Sequence, residues 1–318
     1  MTLDENNWSS SGDAAPSAAG LLREDRQLDG ATAASGTLVR PVRLPRDDYE
    51  RCRRDLVLPL PIRLAYVRYF DTVVKAWESG IIDCPLAYVL LLEGDPGTGK
   101  TMAAMALAQY IARWNETRTG RPTFAFHVRA PALFSELLGQ SVRAVEQLFE
   151  DVESFAEQGP SVVILDELEA VGISRTRIGS ADPTEVVRVI DELLRGLDAL
   201  RGRRNFVLVG TTNVVGLIDG AIVDRADLVL HFDRPHVEAA TAILRRAASA
   251  ALRLGIYVGE ADIRMAAVAL CGDGDGRRPS GRLLSKLPFL TYMYGASAHL
   301  SADAMVDMAR QAMAQEGP

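Results

Sequence analysis

The sequence predicts an α/β fold: a doubly wound parallel sheet with helices on both faces, followed by a small all-helical lid domain. Up to Asp233, short apolar runs of strand length alternate with segments of helical periodicity, a pattern typical of βαβ units. After Asp233 the patterns are helical. We therefore expect a flexible tail at 1–45, where Ala, Ser, Gly and Asp predominate, an α/β domain at 46–233 and a lid domain at 234–318.

The elements can be placed in order along the chain. A helix is expected from Pro61 to Gly80, because proline suits a first helical turn and glycine ends helices. Strands are expected at 86–92, 124–128, 161–165, 206–209 and 228–232. Helical patterns follow the first three of these strands. The lid helices are expected at about 237–254, 261–271, 282–294 and 302–315.

Composition argues against several classes of protein. The chain has 318 residues, is 48% hydrophobic and carries a net charge of −7, so only a local basic patch could serve a nucleic acid. Its three cysteines, Cys52, Cys84 and Cys271, are not in a metal-binding spacing, which fits a reducing compartment. There is neither an apolar run of membrane-span length nor the pattern of a secretory signal. We expect a cytoplasmic protein.

Residues 94–101 fit the phosphate-binding pattern G-x-x-x-x-G-K-[ST] between an expected strand and an expected helix. Glycines let such a loop curl around an anion, toward which the first N–H groups of the helix point. Lys100 would neutralise the β- and γ-phosphates of ATP, and Thr101 would ligate Mg²⁺. The residues expected to contact the nucleotide here are Gly94, Asp95, Pro96, Gly97, Thr98, Gly99, Lys100, Thr101 and Met102.

Polar side chains follow the ends of two later strands, where parallel sheets bind ligands. Asp166 and Glu167 end the most apolar strand, and Asn213 follows the next one. Asp166 would hold Mg²⁺, and Glu167 would orient and deprotonate the attacking water. Asn213 could also hold that water. We predict that these three residues complete a nucleotide site.

The order and spacing of Lys100, Asp166, Glu167 and Asn213 resemble Walker A, Walker B and sensor 1 of the AAA+ P-loop ATPases. Residues 221–227 and 280–290 resemble the arginine-finger and sensor 2 segments of the pachytene-checkpoint (thyroid-receptor-interacting) AAA+ ATPases. The resemblance implies an ATP-hydrolysing homo-hexamer. It further implies that Arg225 reaches the γ-phosphate of a neighbouring subunit, whereas Arg282 contacts the γ-phosphate in its own subunit.

The same resemblance implies two loops that line the centre of the ring and grip a polypeptide. The first falls at 134–140, with Leu137, Leu138 and Gly139, and the second at 173–182, with Arg175 and Arg177. Relatives carry an aromatic residue near position 137 or 138, so the leucines imply a weaker or different grip. The alternative that these leucines belong to a helix core stays open.

The short tail resembles the bacterial members of this family, which occur beside HORMA proteins and cyclic-oligonucleotide synthases in antiphage (CBASS) operons. The resemblance implies an enzyme that converts a HORMA protein from its closed to its open form. Such an enzyme takes apart the complex of the HORMA protein with the synthase and so restrains signalling. Two alternatives stay open: a DNA-associated ATPase of the clamp-loader or initiator type, and a nucleotide-gated scaffold.

Overall fold

A six-stranded sheet forms the centre of the first domain. The computed structural model describes residues 40–80, 85–133, 140–170, 183–200, 205–272 and 277–315. The strands are β1 Val42–Leu44, β2 Val89–Gly94, β3 Thr123–Arg129, β4 Ser161–Asp166, β5 Phe206–Thr212 and β6 Leu228–Phe232. They lie in the order β1-β3-β4-β5-β2-β6, and β1 alone runs antiparallel among these six.

Six helices accompany these strands within the described ranges. They are α1 Asp47–Asp55, α2 Leu60–Ser79, α3 Lys100–Thr119, α4 Gln140–Ala156, α5 Pro183–Leu200 and α6 Gly220–Val223. Helix α2 has a proline in its first turn and ends at Gly80, which adopts a left-handed conformation, as the sequence predicts. Helix α3 begins at Lys100, in the last residues of the phosphate loop, so its N-terminus opens onto the carboxyl edge of the sheet.

The central strands are apolar because helices cover both faces of the sheet. In β4 the residues from Val162 to Ile164 are fully buried, and in β5 every residue is buried. Strand register places Arg129 beside Asp166 and Glu93 beside Thr212. The polar residues that end neighbouring strands therefore lie at one level along one edge.

The second domain is the lid, whose helices are α7 Val237–Leu252, α8 Glu260–Cys271, α9 Gly281–Met293 and α10 Ala302–Gln315. It has a hydrophobic core of its own, which includes Leu244, Leu284 and Met305. Two short strands, β7 Tyr257–Val258 and β8 His299–Leu300, pair in parallel within it. Among the described helices, none combines the length and apolar character that a membrane crossing requires.

The observed elements differ from the expectation in two places. The expectation of a tail to residue 45 is wrong in its last residues, because Val42–Leu44 pairs with β3; residues 1–39 lie outside the described ranges. The two-residue strands β7 and β8 were also not expected in the lid. Strands of two or three residues are too short to produce a periodic pattern. The boundary predicted after residue 233 falls in the connection between β6 and α7.

Gly94 ends β2 at a φ of +148°, and a Cβ added there would lie 2.1 Å from the carbonyl oxygen of Phe232 on β6. We predict that Gly94→Ala lowers the free energy of unfolding by about 2 kcal/mol or more, from backbone strain and overpacking together. Denaturant unfolding measures this. The matched control is Gly216→Ala, because a Cβ there meets nothing within 4 Å. Equal stability of the two variants would contradict the prediction.

Candidate functional site

A cleft with a volume of about 710 Å³ lies between the carboxyl edge of the sheet and the lid. This size suits a cofactor-sized ligand. Its lining comes from residues 55–59, the phosphate loop at 96–102, the ends of β4 and β5, and helices α7 and α9. The cleft is therefore shared by both domains.

Lys100 is the buried cation of this cleft. Its Nζ donates to the carbonyl oxygens of Gly94 (2.6 Å) and Asp95 (2.9 Å) and to Oδ1 of Asn213 (3.0 Å). Burial lowers the pKa of Lys100, and Glu169 and the other nearby carboxylates oppose that effect. The ammonium thus lies where the phosphate loop meets the end of β5. Backbone N–H groups at the start of α3 add a second source of positive potential there.

Asp166 collects hydrogen bonds from three directions. Its Oδ1 accepts from the hydroxyls of Thr101 (2.9 Å) and Thr211, and its Oδ2 lies 3.1 Å from Nε2 of His127. Burial alone would raise the pKa of Asp166, but these hydrogen bonds outweigh it and hold the pKa below its ordinary value. The carboxylate is therefore kept ionised.

The donor set at Thr101 and Asp166 fits Mg²⁺. Both side chains offer hard oxygen atoms, and they touch each other at the mouth of the phosphate loop. The described residues include no group of three His, Cys, Asp or Glu side chains that could hold a metal. Such a two-ligand site matches Mg²⁺, which keeps several waters and is bound through few protein ligands plus phosphates.

Glu167 directly follows β4 and has a φ of +63°. Both of its carboxylate oxygens accept from Nη2 of Arg129, at 3.1 and 2.9 Å. The side chain predicted to act as the base is therefore held by Arg129 at the end of β3. Arg129 was not among the predicted site residues. The signal that could have found it is its position at the end of the strand next to β4.

Asn213 lies one residue beyond β5 and joins two charged groups. Its Oδ1 accepts from Lys100, while its Nδ2 and its backbone N–H donate to the carboxylate of Glu169. The sequence analysis also did not identify Glu169 as a site residue. Its signal was weak, since it lies three residues past Asp166 and outside the acidic pair that ends the strand.

The two predicted arginines lie in different places. Arg282 lies in the first turn of α9 and lines the cleft, packed near Gly97 of the phosphate loop. Arg225 is absent from the described cleft lining. It donates to both carboxylate oxygens of Asp198 at 2.9 and 2.7 Å, and this pairing raises its pKa. The structure brings Arg282, but not Arg225, into the cleft of the same chain.

Arg234, in the connection between the domains, is a further residue that sequence reasoning missed. Its Nε donates to Asp95 Oδ2 at 2.7 Å, and its Nη1 donates to the carbonyl of Arg278 at 2.8 Å. The bond from Arg234 lowers the pKa of Asp95. Arg234 thereby links the phosphate loop to the segment that leads into α9.

Five residues were predicted to grip a polypeptide. Leu137, Leu138, Gly139, Arg175 and Arg177 lie outside the described residues. Their role stays a prediction.

Comparison with known proteins places this geometry in a family. Residues 90–234 match the model of the ATPase family associated with various cellular activities (AAA). Pachytene checkpoint protein 2 homolog of Oryza sativa subsp. indica is 30% identical over 218 residues, which are 67% of this chain and 46% of that protein. CD-NTase-associated protein 6 of Pseudomonas aeruginosa is 36% identical over 163 residues, which are 50% of this chain and 53% of that protein.

The chain thus spans about half the length of these curated relatives. A solved structure of the E. coli MS115-1 HORMA:CdnC:Trip13 complex contains a similar fold. It has a TM-score of 0.68 and 16% identity over 88% of this chain and 97% of the other. The predicted α/β fold with a helical lid is confirmed. Through its matched α/β domain, and with relatives named for pachytene checkpoint protein 2, the chain belongs to the AAA ATPase family.

Proposed function

We propose that the cleft binds ATP with Mg²⁺ and that the chain couples ATP hydrolysis to the remodelling of a HORMA-domain protein. Two hydrogen bonds are the observation that supports nucleotide binding. Lys100 bonds Asn213, and Thr101 bonds Asp166, so three separate motifs converge at one edge of the sheet. A buried ammonium, a helix N-terminus and an ionised carboxylate are the groups that a magnesium-bound triphosphate requires.

Each residue has a distinct task in this proposal. Mg²⁺, when bound, supplies positive charge that offsets charge on the phosphates. Thr101 and Asp166 hold it, and Lys100 binds the β- and γ-phosphates together with the N–H groups of the loop. Glu167 accepts a proton from the attacking water, which requires its carboxylate to leave Arg129. Asn213 orients the water, and Arg282 contacts the γ-phosphate from the lid.

The position of Arg225 supports the proposal that the enzyme is an oligomer. Since it lies outside the described lining of its own cleft, a role in phosphoryl transfer requires a neighbouring subunit to receive it. We propose a homo-hexameric ring in which Arg225 completes the site of the next subunit. To reach that site, Arg225 would have to leave Asp198, with which it forms a partly exposed ion pair.

The proposed substrate follows from the relatives. One carries the name CD-NTase-associated protein 6, and a fold neighbour belongs to a HORMA:CdnC:Trip13 complex. We propose that the ring engages a HORMA protein through its pore loops at 134–140 and 173–182 and opens it. Opening would disassemble the complex with a cyclic-oligonucleotide synthase and restrain antiphage signalling in the cytoplasm.

We predict that a HORMA protein encoded beside this chain stimulates its steady-state ATPase activity. Glu167→Gln should lower turnover by more than about a hundredfold, because the isosteric amide cannot accept the proton. ATP binding should persist, since Lys100 and Thr101 are unchanged. Glu157→Gln, at an exposed position between α4 and β4, is the control.

Other results would change the proposal. Normal ATP hydrolysis by the Glu167→Gln variant would show that Glu167 is not the general base. Stimulation by DNA and none by the HORMA protein would replace the remodeller with a DNA-associated ATPase. Release of the partner by ATP binding alone, in the Glu167→Gln variant, would favour a nucleotide-gated scaffold.

We predict that Arg225→Ala lowers turnover about a thousandfold, because an arginine contributed by a neighbour carries much of the transition-state stabilisation. The decisive measurement mixes Arg225→Ala with Glu167→Gln subunits. Some clefts in the mixture then have both an intact Glu167 and an intact neighbouring Arg225, so activity should reappear. Arg195→Ala, on the exposed side of α5, is the control. A mixture that stays inactive would contradict action between subunits.

A further inference from the structure

Glu169 is a charged residue of the cleft that the proposed steps do not use. It lines the cleft beside Asn213, and its carboxylate accepts from the Asn213 side-chain amide and, at 3.3 Å, from the Asn213 backbone N–H. Asn213 in turn accepts from Lys100 at 3.0 Å. A single amide therefore stands between a carboxylate and an ammonium.

Glu169 and Lys100 can each bond only one end of this amide, and the two ends differ. A carboxylate only accepts hydrogen bonds, and an ammonium only donates them. The amide of Asn213 must therefore turn its Nδ2 toward Glu169 and its Oδ1 toward Lys100. The reversed amide would set Oδ1 against the carboxylate and Nδ2 against the ammonium, losing both bonds. Glu169 thus selects one of two orientations that have almost the same shape.

The backbone around Glu169 is itself fixed against β5. The N–H of Leu168 donates to the carbonyl of Thr211 at 2.9 Å, and the N–H of Ala170 donates to the carbonyl of Glu167 at 3.0 Å. The side chain of Leu168 is fully buried and fills the space left by Gly210, where an added Cβ would lie 2.4 Å from its Cδ1. Glu169 is held at a set distance from Asn213.

We propose that Glu169 is a positioning residue that fixes the Asn213 amide with Oδ1 facing the cleft. This inference rests on the proposed function. When Lys100 turns to a phosphate, Oδ1 loses its donor but keeps its direction, because Glu169 still holds Nδ2. It then accepts a hydrogen bond from the attacking water without first having to reorient.

The test is Glu169→Gln, which keeps the size of the side chain but can donate as well as accept. The reversed amide then becomes allowed, so kcat should fall about tenfold, roughly the effect of one positioned hydrogen bond. KM for ATP should stay within about twofold, because Lys100 and the phosphate loop still bind the nucleotide. Glu157→Gln is the matched control for charge, and thermal unfolding verifies that both variants fold.

A double-mutant cycle separates positioning from general support of the fold. With Asn213→Ala already in place, Glu169→Gln should have no further effect on kcat. The inference is overturned if Glu169→Gln turns over like the unchanged chain, or if it costs the same factor with and without Asn213. It is also overturned if only KM rises. Failure of the proposed function looks different, since the unchanged chain and Glu167→Gln would then hydrolyse ATP equally.

Discussion

The burial of Lys100 is the constraint on which the rest of the site depends. A buried ammonium is tolerated only when acceptors surround it, and here they come from the last residue of β2, the residue after it and the residue after β5. This requirement fixes the distance between two neighbouring strand ends and the direction of the Asn213 amide. A phosphate would find the cation already in place, so little rearrangement of the α/β domain is needed to bind it.

The carboxylate of Asp166, like the ammonium of Lys100, needs hydrogen-bond partners because it is partly buried. Asp166 is partly buried and receives donors from α3, β3 and β5, so its charge is maintained by elements on several sides. These donors meet only because parallel strands end at the same edge. The backbone N–H of Glu167, one residue later, also bonds the Thr211 hydroxyl, but its side chain pairs with exposed Arg129. Asp166, the acid proposed to hold Mg²⁺, is thus fixed by several partners, whereas Glu167, the acid proposed as the base, is held by a solvent-exposed ion pair.

The sequence predicted the parts of the site that depend on local patterns. The loop at 94–101 and the two acids at the end of the apolar run in β4 were found because the residues of each pattern stand next to one another in the chain. Arg129, Glu169 and Arg234 were missed because their partners come from other elements, so their contacts depend on strand order and turn geometry. The short strands β1, β7 and β8 were not predicted for another reason, because two or three residues carry no periodicity.

The ion pairs between the lid and the α/β domain are more exposed to solvent than the contacts of Lys100 inside the α/β domain. Arg234 bonds exposed Asp95, and Arg246 of α7 lies 3.2 Å from Asp55 at the end of α1. A partly exposed pair such as Arg246–Asp55 contributes less than about 1 kcal/mol, whereas a buried charge such as that of Lys100 cannot lose its partners cheaply. We propose that a change of nucleotide breaks this lid contact while the phosphate loop keeps its shape. In this proposal, nucleotide state sets the position of the lid, and of Arg282 with it.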